Sequence, residues 1–454
     1  MIGPGQALTL GQALWALSRL SRHDRWSREQ LLAFQARRLA ELRSFAVAHS
    51  PYYREAHRGL EDAPLEALPS LSKTTLMERF DDLVTDRAVH LTDVEAYLRH
   101  ATVTGRYRGR YRVQVTGGTT GYRGIFLVDP AEWTAILASY GRARVWAGVG
   151  FGPSRPPRLA FVSSRNPTHQ TSLVGATTSS PIMPTLRLDA TDPTPAMVAA
   201  LNQFRPDMVS GYASVLRLLA DEQLAGRLEI RPRAVANGGE VLDDETRARI
   251  RMAFGVRPRD GYAATETGVI AYECAEGHLH RFEDLVVAEV VDAGNRPVPD
   301  GEQGAKVLVT VLSSRTQPLI RYELSDRVTA SAGPMPGDLP FGTLGRIQGR
   351  QEDVLYLAGV PVHPKLFADA LERLPVAGWQ VVDEGEALRV LLAGTDAVDT
   401  AAVSAAIGAS LRAIGVEGVQ VSVEVVPAIP RTAAGKAPLV RRAGRSPAGA
   451  VPTP

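Results

Sequence analysis

A glycine- and threonine-rich segment follows a predicted strand and could hold a polyphosphate. It runs from Thr116 to Gly121 within the stretch 115–124, VTGGTTGYRG. Glycine lets the backbone approach an anion closely, and successive N–H groups with threonine hydroxyls can surround phosphate oxygens. No Lys-Ser/Thr pair follows at the spacing of a Walker A loop, so that class is excluded. Taken alone, the segment is either a phosphate-binding loop of another kind or a flexible turn.

Five further segments place charged or glycine-rich groups at predicted strand ends and turns. They are 236–240 (ANGGE), 261–268 (GYAATETG), 321–326 (RYELSD), 345–353 (GRIQGRQED) and 430–436 (PRTAAGK). In this order and spacing, the six motifs resemble the adenylate-forming superfamily of acyl-CoA synthetases, nonribosomal adenylation domains and luciferases.

Within that superfamily the chain looks most like the phenylacetate-CoA ligase family, which includes relatives that adenylylate a deazaflavin coenzyme. The segments that carry this closer resemblance are 272–274 (YEC), 277–284 (GHLHRFED) and 318–322 (PLIRY). The resemblance extends from about Gln30 to Val440.

The resemblance implies an ATP- and Mg²⁺-dependent ligase that activates a carboxylic acid as an acyl-adenylate and passes it to coenzyme A. Such chemistry needs charge neutralisation and alignment more than covalent help from the enzyme. One alternative keeps the adenylation but transfers the acid to an amine, a carrier-protein thiol or another small nucleophile. A second alternative is a non-catalytic homologue that binds the nucleotide or the acid.

The resemblance also implies a role for individual residues. The nucleotide-binding residues are Thr116, Gly118, Thr119, Thr120 and Gly121 for the β- and γ-phosphates, Gly238, Gly239, Glu240 and Tyr262 for adenine, and Asp326 for the ribose. The catalytic residues are Thr265, Glu266, Arg350 and Lys436, with Glu266 also the Mg²⁺ ligand. The hinge between two domains is Glu352, and the acyl pocket is lined by Tyr212, Ala213, Gly238, Ala263 and Ala264.

Small side chains at the implied acyl pocket favour a planar substrate. Gly238, Ala263 and Ala264 would leave room for a ring, so we expect an aryl or arylalkyl acid. The stretch 166–170, NPTHQ, is a further candidate lining of this pocket.

Lys436 is the most informative single residue. The chain has 51 Lys+Arg, but lysine occurs only at positions 73, 306, 365 and 436. Because arginine supplies nearly all of the basic residues of this chain, a lysine is less expected at a surface position without a function. This favours a functional role for Lys436 over a solvated tail residue. A compact, mobile ammonium also suits a group that approaches the reacting carboxylate and α-phosphate.

Two departures from the family pattern concern the phosphate loop and zinc. Gly117 stands where the family usually has serine, and Arg123 stands where a lysine is common. The single cysteine, Cys274, makes a structural zinc doubtful, and we interpret His278 and His280 beside it as an ordinary packed cluster.

The hydrophobic pattern predicts an α/β fold. Helices fill the first hundred residues, strands and helices alternate from Val113 to about Asp260 around a mostly parallel sheet, and antiparallel strands occupy 285–328. We predict a large N-terminal domain at 1–350, a small mobile α+β domain at 351–442 and a disordered tail at 443–454.

Composition excludes several classes of protein. With 51 Lys+Arg against 49 Asp+Glu, the net charge of +2 gives no electrostatic reason to bind nucleic acid. One cysteine excludes an intrachain disulfide, and no run reaches the ~18 apolar residues of a membrane span. We therefore expect a cytoplasmic protein that binds small molecules, with a homodimer possible through the helical N-terminus.

Overall fold

The computed structural model has two regions, one before and one after residue 350. It describes residues 3–116, 124–151, 156–190, 192–331, 339–350, 355–358, 360–362, 364–371, 374, 376, 378–393, 398–413, 415–430 and 438–443.

Helices dominate the first hundred residues, as predicted. They are α1 (Pro4–His23), α2 (Arg28–His49), α3 (Pro51–Ala56), α4 (Lys73–Glu78), α5 (Phe80–Leu83) and α6 (Leu91–Leu98), with a 3-10 turn at Leu65–Ala67. Ser72 caps the start of α4, because the Thr75 backbone N–H donates to Ser72 Oγ at 3.0 Å. Such side-chain caps satisfy amide groups that have no partner inside the helix.

The elements from residue 112 to residue 350 alternate between strands and helices before they become strands alone. The strands are β1 (Arg112–Val115), β2 (Ile125–Val128), β3 (Leu159–Ser163), β4 (Thr185–Asp189), β5 (Met208–Gly211), β6 (Ala234–Gly238), β7 (Arg259–Ala264), β8 (Gly268–Glu273), β9 (Leu279–Arg281), β10 (Val286–Val291), β11 (Lys306–Val311), β12 (Tyr322–Leu324), β13 (Asp326–Val328), β14 (Thr343–Leu344) and β15 (Ile347–Arg350). The helices are α7 (Pro130–Trp146), α8 (Gln170–Thr178), α9 (Thr194–Phe204), α10 (Ala213–Leu224) and α11 (Asp244–Phe254).

The main sheet contains eight strands in the order β14-β9-β8-β7-β6-β5-β3-β4. The strands from β4 to β7 pair in parallel, and β7, β8, β9 and β14 pair antiparallel. The predicted α/β class is therefore confirmed. The inclusion of the strand near Val113 in the parallel sheet is wrong, because β1 and β2 form a separate antiparallel pair around the glycine-rich segment.

A second sheet joins the N-terminal helices to the rest of this region. Its strands, in the order β10-β11-β12, are antiparallel, which confirms the pattern predicted for 285–328. A buried hydrophobic cluster lies between this sheet and the first helices, and it includes Leu42, Tyr53, Val309 and Tyr322.

The region after residue 350 has its own sheet and core. Its elements are β16 (Leu355–Leu357), β17 (Val360–Val362), α12 (Pro364–Leu371), β18 (Gly378–Asp383), β19 (Ala387–Ala393), α13 (Thr400–Ala413), β20 (Gln420–Val426) and β21 (Val440–Arg442). Four strands form a sheet in the order β20-β19-β18-β21, and one buried cluster extends from Leu355 to Val440. Helices and strands are thus both present after residue 350, in agreement with the α+β composition expected there.

A buried ion pair holds α1, α7 and the segment before β10 together. The Arg142 guanidinium donates to both Asp284 oxygens, at 2.8 and 2.6 Å, and His23 Nδ1 lies 2.7 Å from the same carboxylate. Burial raises the pKa of Asp284, but the charges and hydrogen bonds of Arg142 and His23 outweigh it and lower that pKa to about 2.

Among the described helices, none is both long and apolar enough to cross a lipid bilayer.

Candidate active site

The carboxyl ends of three parallel strands bring most of the predicted site residues to one edge of the main sheet. In the strand register, Gly211 of β5 lies opposite Asn237 of β6, and Gly238 of β6 lies opposite Gly261 of β7. The last residues of these strands and the residues directly after them include the predicted acyl-pocket and adenine-binding residues. Ligands of open α/β sheets bind outside the carboxyl ends of the strands, so this edge is the candidate active site.

The Gly238–Glu240 segment forms an open turn at this edge. A Cβ placed on Gly238 would meet no atom within 4 Å, so the strand end borders empty space. Gly239 has φ +84°, a left-handed conformation that favours glycine. The Glu240 carboxylate accepts a hydrogen bond from the Ser214 backbone N–H at 2.9 Å. This bond fixes the turn against the start of α10, whose first amide groups receive no hydrogen bond from the side chain of the capping residue Tyr212.

Tyr262 and Asp326, predicted to hold adenine and ribose, are hydrogen-bonded to each other. The Tyr262 hydroxyl donates to Asp326 Oδ2 at 3.0 Å. The Tyr262 side chain packs in the cluster beneath the second sheet. Asp326 also lies opposite Arg350 in the β13–β15 pairing. The fold therefore places three predicted residues from distant sequence positions close together.

The tight turn between β7 and β8 carries Thr265 and Glu266. Glu266 is largely buried, and the Tyr322 hydroxyl donates to its Oε1 at 3.3 Å. The backbone carbonyl of Thr265 accepts a hydrogen bond from Gln170 Nε2 at 3.0 Å. A carboxylate held in this way beside phosphate oxygens is a ligand set that suits Mg²⁺.

Tyr212, which lies between β5 and α10, contacts the segment 164–169 and the core beneath α10. The Ser164 backbone N–H donates to the Tyr212 hydroxyl oxygen at 3.2 Å, and His169 Nδ1 lies 2.8 Å from Ser164 Oγ. Tyr212 and Ala213 are buried, and they also belong to the hydrophobic cluster that packs α10 on the sheet. Ser164 thus hydrogen-bonds to both Tyr212 and His169 and links them.

A titratable group, Asp260 of β7, is hydrogen-bonded to the neighbouring strand β6. The Asp260 carboxylate accepts a hydrogen bond from Asn237 Nδ2 at 2.8 Å. Burial, assisted by the negative charge of Glu273, raises the pKa of Asp260 to about 6, although the Asn237 bond opposes this. Sequence reasoning did not identify this pair, and its only sequence signal was a polar residue near the end of β6 and another near the start of β7.

Several predicted residues lie outside the described part of the chain. These are Gly118, Thr119, Thr120 and Gly121 of the phosphate loop, the hinge residue Glu352, and Lys436, together with the side chain of Arg350. Thr116 is described, and its Oγ1 accepts from the Gly124 backbone N–H at 2.9 Å, which closes the base of the loop.

The cysteine and histidines considered for zinc have other contacts. Cys274 is buried, and its carbonyl accepts a hydrogen bond from Arg259. His280 Nδ1 donates to the Phe341 carbonyl at 2.9 Å, and the His278 and His280 ring centroids lie 6.3 Å apart. In the described residues, no group of three or more His, Cys, Asp or Glu side chains could hold a metal ion.

Comparison with known proteins finds similarity to acid-CoA ligases. No protein-family model matches it. It is 25% identical over 375 residues to the phenylacetate-coenzyme A ligase of Thermus thermophilus, covering 78% of each chain. Over most of its length the chain is therefore similar to phenylacetate-CoA ligases. A second such relative, from Pseudomonas putida, is 31% identical over 180 residues, which are 38% of this chain and 40% of that protein.

The fold also matches that of solved structures. A 2-hydroxyisobutyryl-CoA ligase, solved in the postadenylation state in complex with R3-HIB-AMP, superposes with a TM-score of 0.73 at 20% identity. The match covers 93% of this chain and 92% of that one, so the fold that the resemblance implies is confirmed.

Proposed function

We propose that this protein is an AMP-forming acid-CoA ligase. The carboxylate of the substrate attacks the α-phosphorus of ATP, pyrophosphate leaves, and the acyl-adenylate then passes its acyl group to the thiol of coenzyme A, releasing AMP. The observation that carries the proposal is the hydrogen bond between Tyr262 and Asp326 at the same sheet edge as the Thr265–Glu266 turn. Relatives named phenylacetate-CoA ligase support the acceptor and the substrate class.

In this proposal the residues at this edge of the main sheet have separate roles in binding ATP. Asp326 accepts hydrogen bonds from the ribose hydroxyls, while Tyr262 holds that carboxylate in place and presents its ring to the base. Thr265 donates its hydroxyl hydrogen to the α-phosphate. Glu266 would hold a Mg²⁺ ion shared with phosphate oxygens, which supplies charge neutralisation when the ion is bound.

The acid bound at this edge is proposed to be an aryl or arylalkyl acid. The open space beside Gly238 and the small Ala263 and Ala264 side chains support a flat substrate. Residues 351–442 are proposed to form the small domain that carries Lys436 toward the reacting carboxylate, with Glu352 at the hinge. Glu352 and Lys436 both lie outside the described residues.

Acid-dependent release of pyrophosphate, measured with a panel of aryl acids, tests the activity. Release with at least one acid, followed by formation of its CoA thioester identified by mass, is the expected result. Release without thioester, but with an amine or carrier adduct, would change the acceptor. No release across a broad panel would refute the proposed enzyme.

Lys436→Ala tests the assigned catalytic lysine. We expect it to slow adenylation by about 100-fold or more, because transition-state charge stabilisation of this kind is worth ~10²–10³ in rate. ATP binding should change far less. Lys73→Ala is the matched control, because it removes another of the few lysines from the start of α4. Equal rates for both variants would show that Lys436 does not act in the adenylation step.

A further inference from the structure

One buried carboxamide connects three elements that surround the candidate active site. Gln170 is the first residue of α8 and is only 4% exposed. Its Nε2 donates to Gln114 Oε1 at 2.9 Å and to the Thr265 carbonyl at 3.0 Å. Its Oε1 accepts from the Tyr140 hydroxyl at 2.8 Å. Both donor hydrogens and the acceptor oxygen are thus engaged with protein groups.

The two acceptors belong to the two segments predicted to hold the phosphates of ATP. Gln114 lies on β1, two residues before Thr116, where the glycine-rich segment begins. Thr265 lies in the turn between β7 and β8, next to Glu266. These elements are separated by about 150 residues in the sequence and pair in different sheets. A single side chain therefore fixes the base of one phosphate-binding segment relative to the other.

The surroundings of Gln170 keep its amide in one orientation. Burial raises the pKa of Tyr140, so its hydroxyl stays protonated and donates to Gln170 Oε1. Since the oxygen is held in this way, the nitrogen must face Gln114 and Thr265. A second hydrogen bond links β1 to the residues just before α8, because the Val115 backbone N–H donates to the Thr168 carbonyl at 3.0 Å. In a low-dielectric interior, a fully satisfied network of this kind is rigid.

We propose that Gln170 is a positioning residue that sets the separation between the base of the phosphate loop and the Thr265–Glu266 turn. The inference rests on the proposed function, because it assumes that both segments grip ATP. Gln170 does not present a polar atom to the acid, since its donors and acceptor are already used. This differs from the expectation that the whole 166–170 stretch lines the acyl pocket.

Gln170→Met tests the proposal, because methionine has a similar length and volume but makes none of these hydrogen bonds. The control is Gln317→Met, at a glutamine that is 3% exposed and also bonds two protein groups. Gln317 accepts from the Leu127 backbone N–H at 3.1 Å and donates to the Ile125 carbonyl at 3.3 Å, without contact to Thr265. Both variants should lower the unfolding temperature by similar amounts.

Acid-dependent ATP–pyrophosphate exchange separates positioning from stability. Misplacement of reacting groups by 1 Å can cost ~10²-fold, so we expect kcat of Gln170→Met to fall by about 10- to 100-fold. The KM for the acid should stay within about twofold of wild type, since no acid contact is removed. Gln317→Met should keep kcat within about threefold under the same conditions.

A second variant keeps the test decisive if Gln170→Met folds poorly. Tyr140→Phe removes only the bond that orients the amide, so kcat should fall several-fold in the same direction. Wild-type kcat in a folded Gln170→Met or Tyr140→Phe protein would overturn the inference, as would a loss confined to the KM for the acid. Absence of exchange in the wild-type protein would instead refute the proposed function, so the two failures are distinguishable.

Discussion

The Tyr262→Phe substitution examines whether the nucleotide is held as proposed. It removes one hydroxyl and keeps the ring, so the hydrophobic packing of β7 and any stacking on adenine are preserved. What is lost is the 3.0 Å hydrogen bond to Asp326 Oδ2. Hydrogen bonds to charged groups contribute about 1.5–3 kcal/mol when buried. Asp326 is partly exposed and has further interactions, so we expect about 1 kcal/mol, at or below the lower end of that range.

That free energy corresponds to an increase of about fivefold in the KM for ATP, with kcat little changed. The increase arises because Asp326 must then be ordered by the ribose itself. The matched control is Tyr272→Phe on the adjacent strand β8. The Tyr272 hydroxyl is buried and has no hydrogen-bond partner within the described chain, so its removal should leave the KM for ATP unchanged.

A cycle with 3′-deoxy-ATP tests the role of Asp326 directly. If Tyr262 acts by orienting the carboxylate that binds the ribose, removal of the 3′-hydroxyl should weaken binding less in the variant than in the wild type. We expect a coupling of about 1 kcal/mol between the two changes, measured by calorimetric titration of each nucleotide. If the substitution and the loss of the 3′-hydroxyl weakened binding independently, this arrangement would be refuted. It would also be refuted if Tyr262→Phe lowered kcat and left the KM for ATP unchanged.

Three further predictions concern buried polar groups. Arg142→Met should destabilise the protein by about 3–5 kcal/mol in urea denaturation, because it leaves the buried Asp284 carboxylate without its main partner; a change below about 1 kcal/mol would contradict this. Because the pKa of Asp284 is lowered in the folded state to about 2, its stabilising contribution is complete above the ordinary value of 3.8. About 2 kcal/mol is then lost as the pH falls from 4 through 2, a loss that urea titrations should find in wild type but not in Asp284→Asn. Gln380 Nε2 donates to the carbonyls of Pro430 and Pro438, at 3.3 and 2.9 Å, which flank the predicted catalytic lysine. Gln380→Leu should therefore slow pyrophosphate exchange by about tenfold while the affinity for ATP, measured by titration, changes by less than about twofold.

Local patterns predicted the elements that depend on nearby residues. The alternation of apolar runs with Gly- and Asp-rich breaks placed β5, β6 and β7 and the helices between them. A helix between two successive strands returns the chain to the end of the sheet where the first strand began, so the strands run parallel with their carboxyl ends together. For that reason the positions of Tyr212, Gly238 and Ala264 at one edge could be inferred from the order of strands and helices along the chain.

Pairing between distant segments could not be inferred in the same way. The strand before the glycine-rich loop resembled a member of the main sheet, but β1 pairs only with β2 among the described strands. The short β14 pairs with β9, more than 60 residues earlier in the sequence. The polar β21 pairs with β18 at one edge of the small sheet. Such short strands bury few apolar side chains, so their hydrophobic pattern carries little information.

The sequence by itself therefore determined the class of the fold, the resemblance to phenylacetate-CoA ligases, and which residue types stand at the ends of the central strands. Only the tertiary structure decided which side chains meet, such as Tyr262 with Asp326 and Gln170 with Thr265. The physical reason is that a hydrogen bond depends on distances of a few ångströms between segments far apart in the chain. Strand order, register and helix packing determine those distances, and no local pattern of residues encodes them.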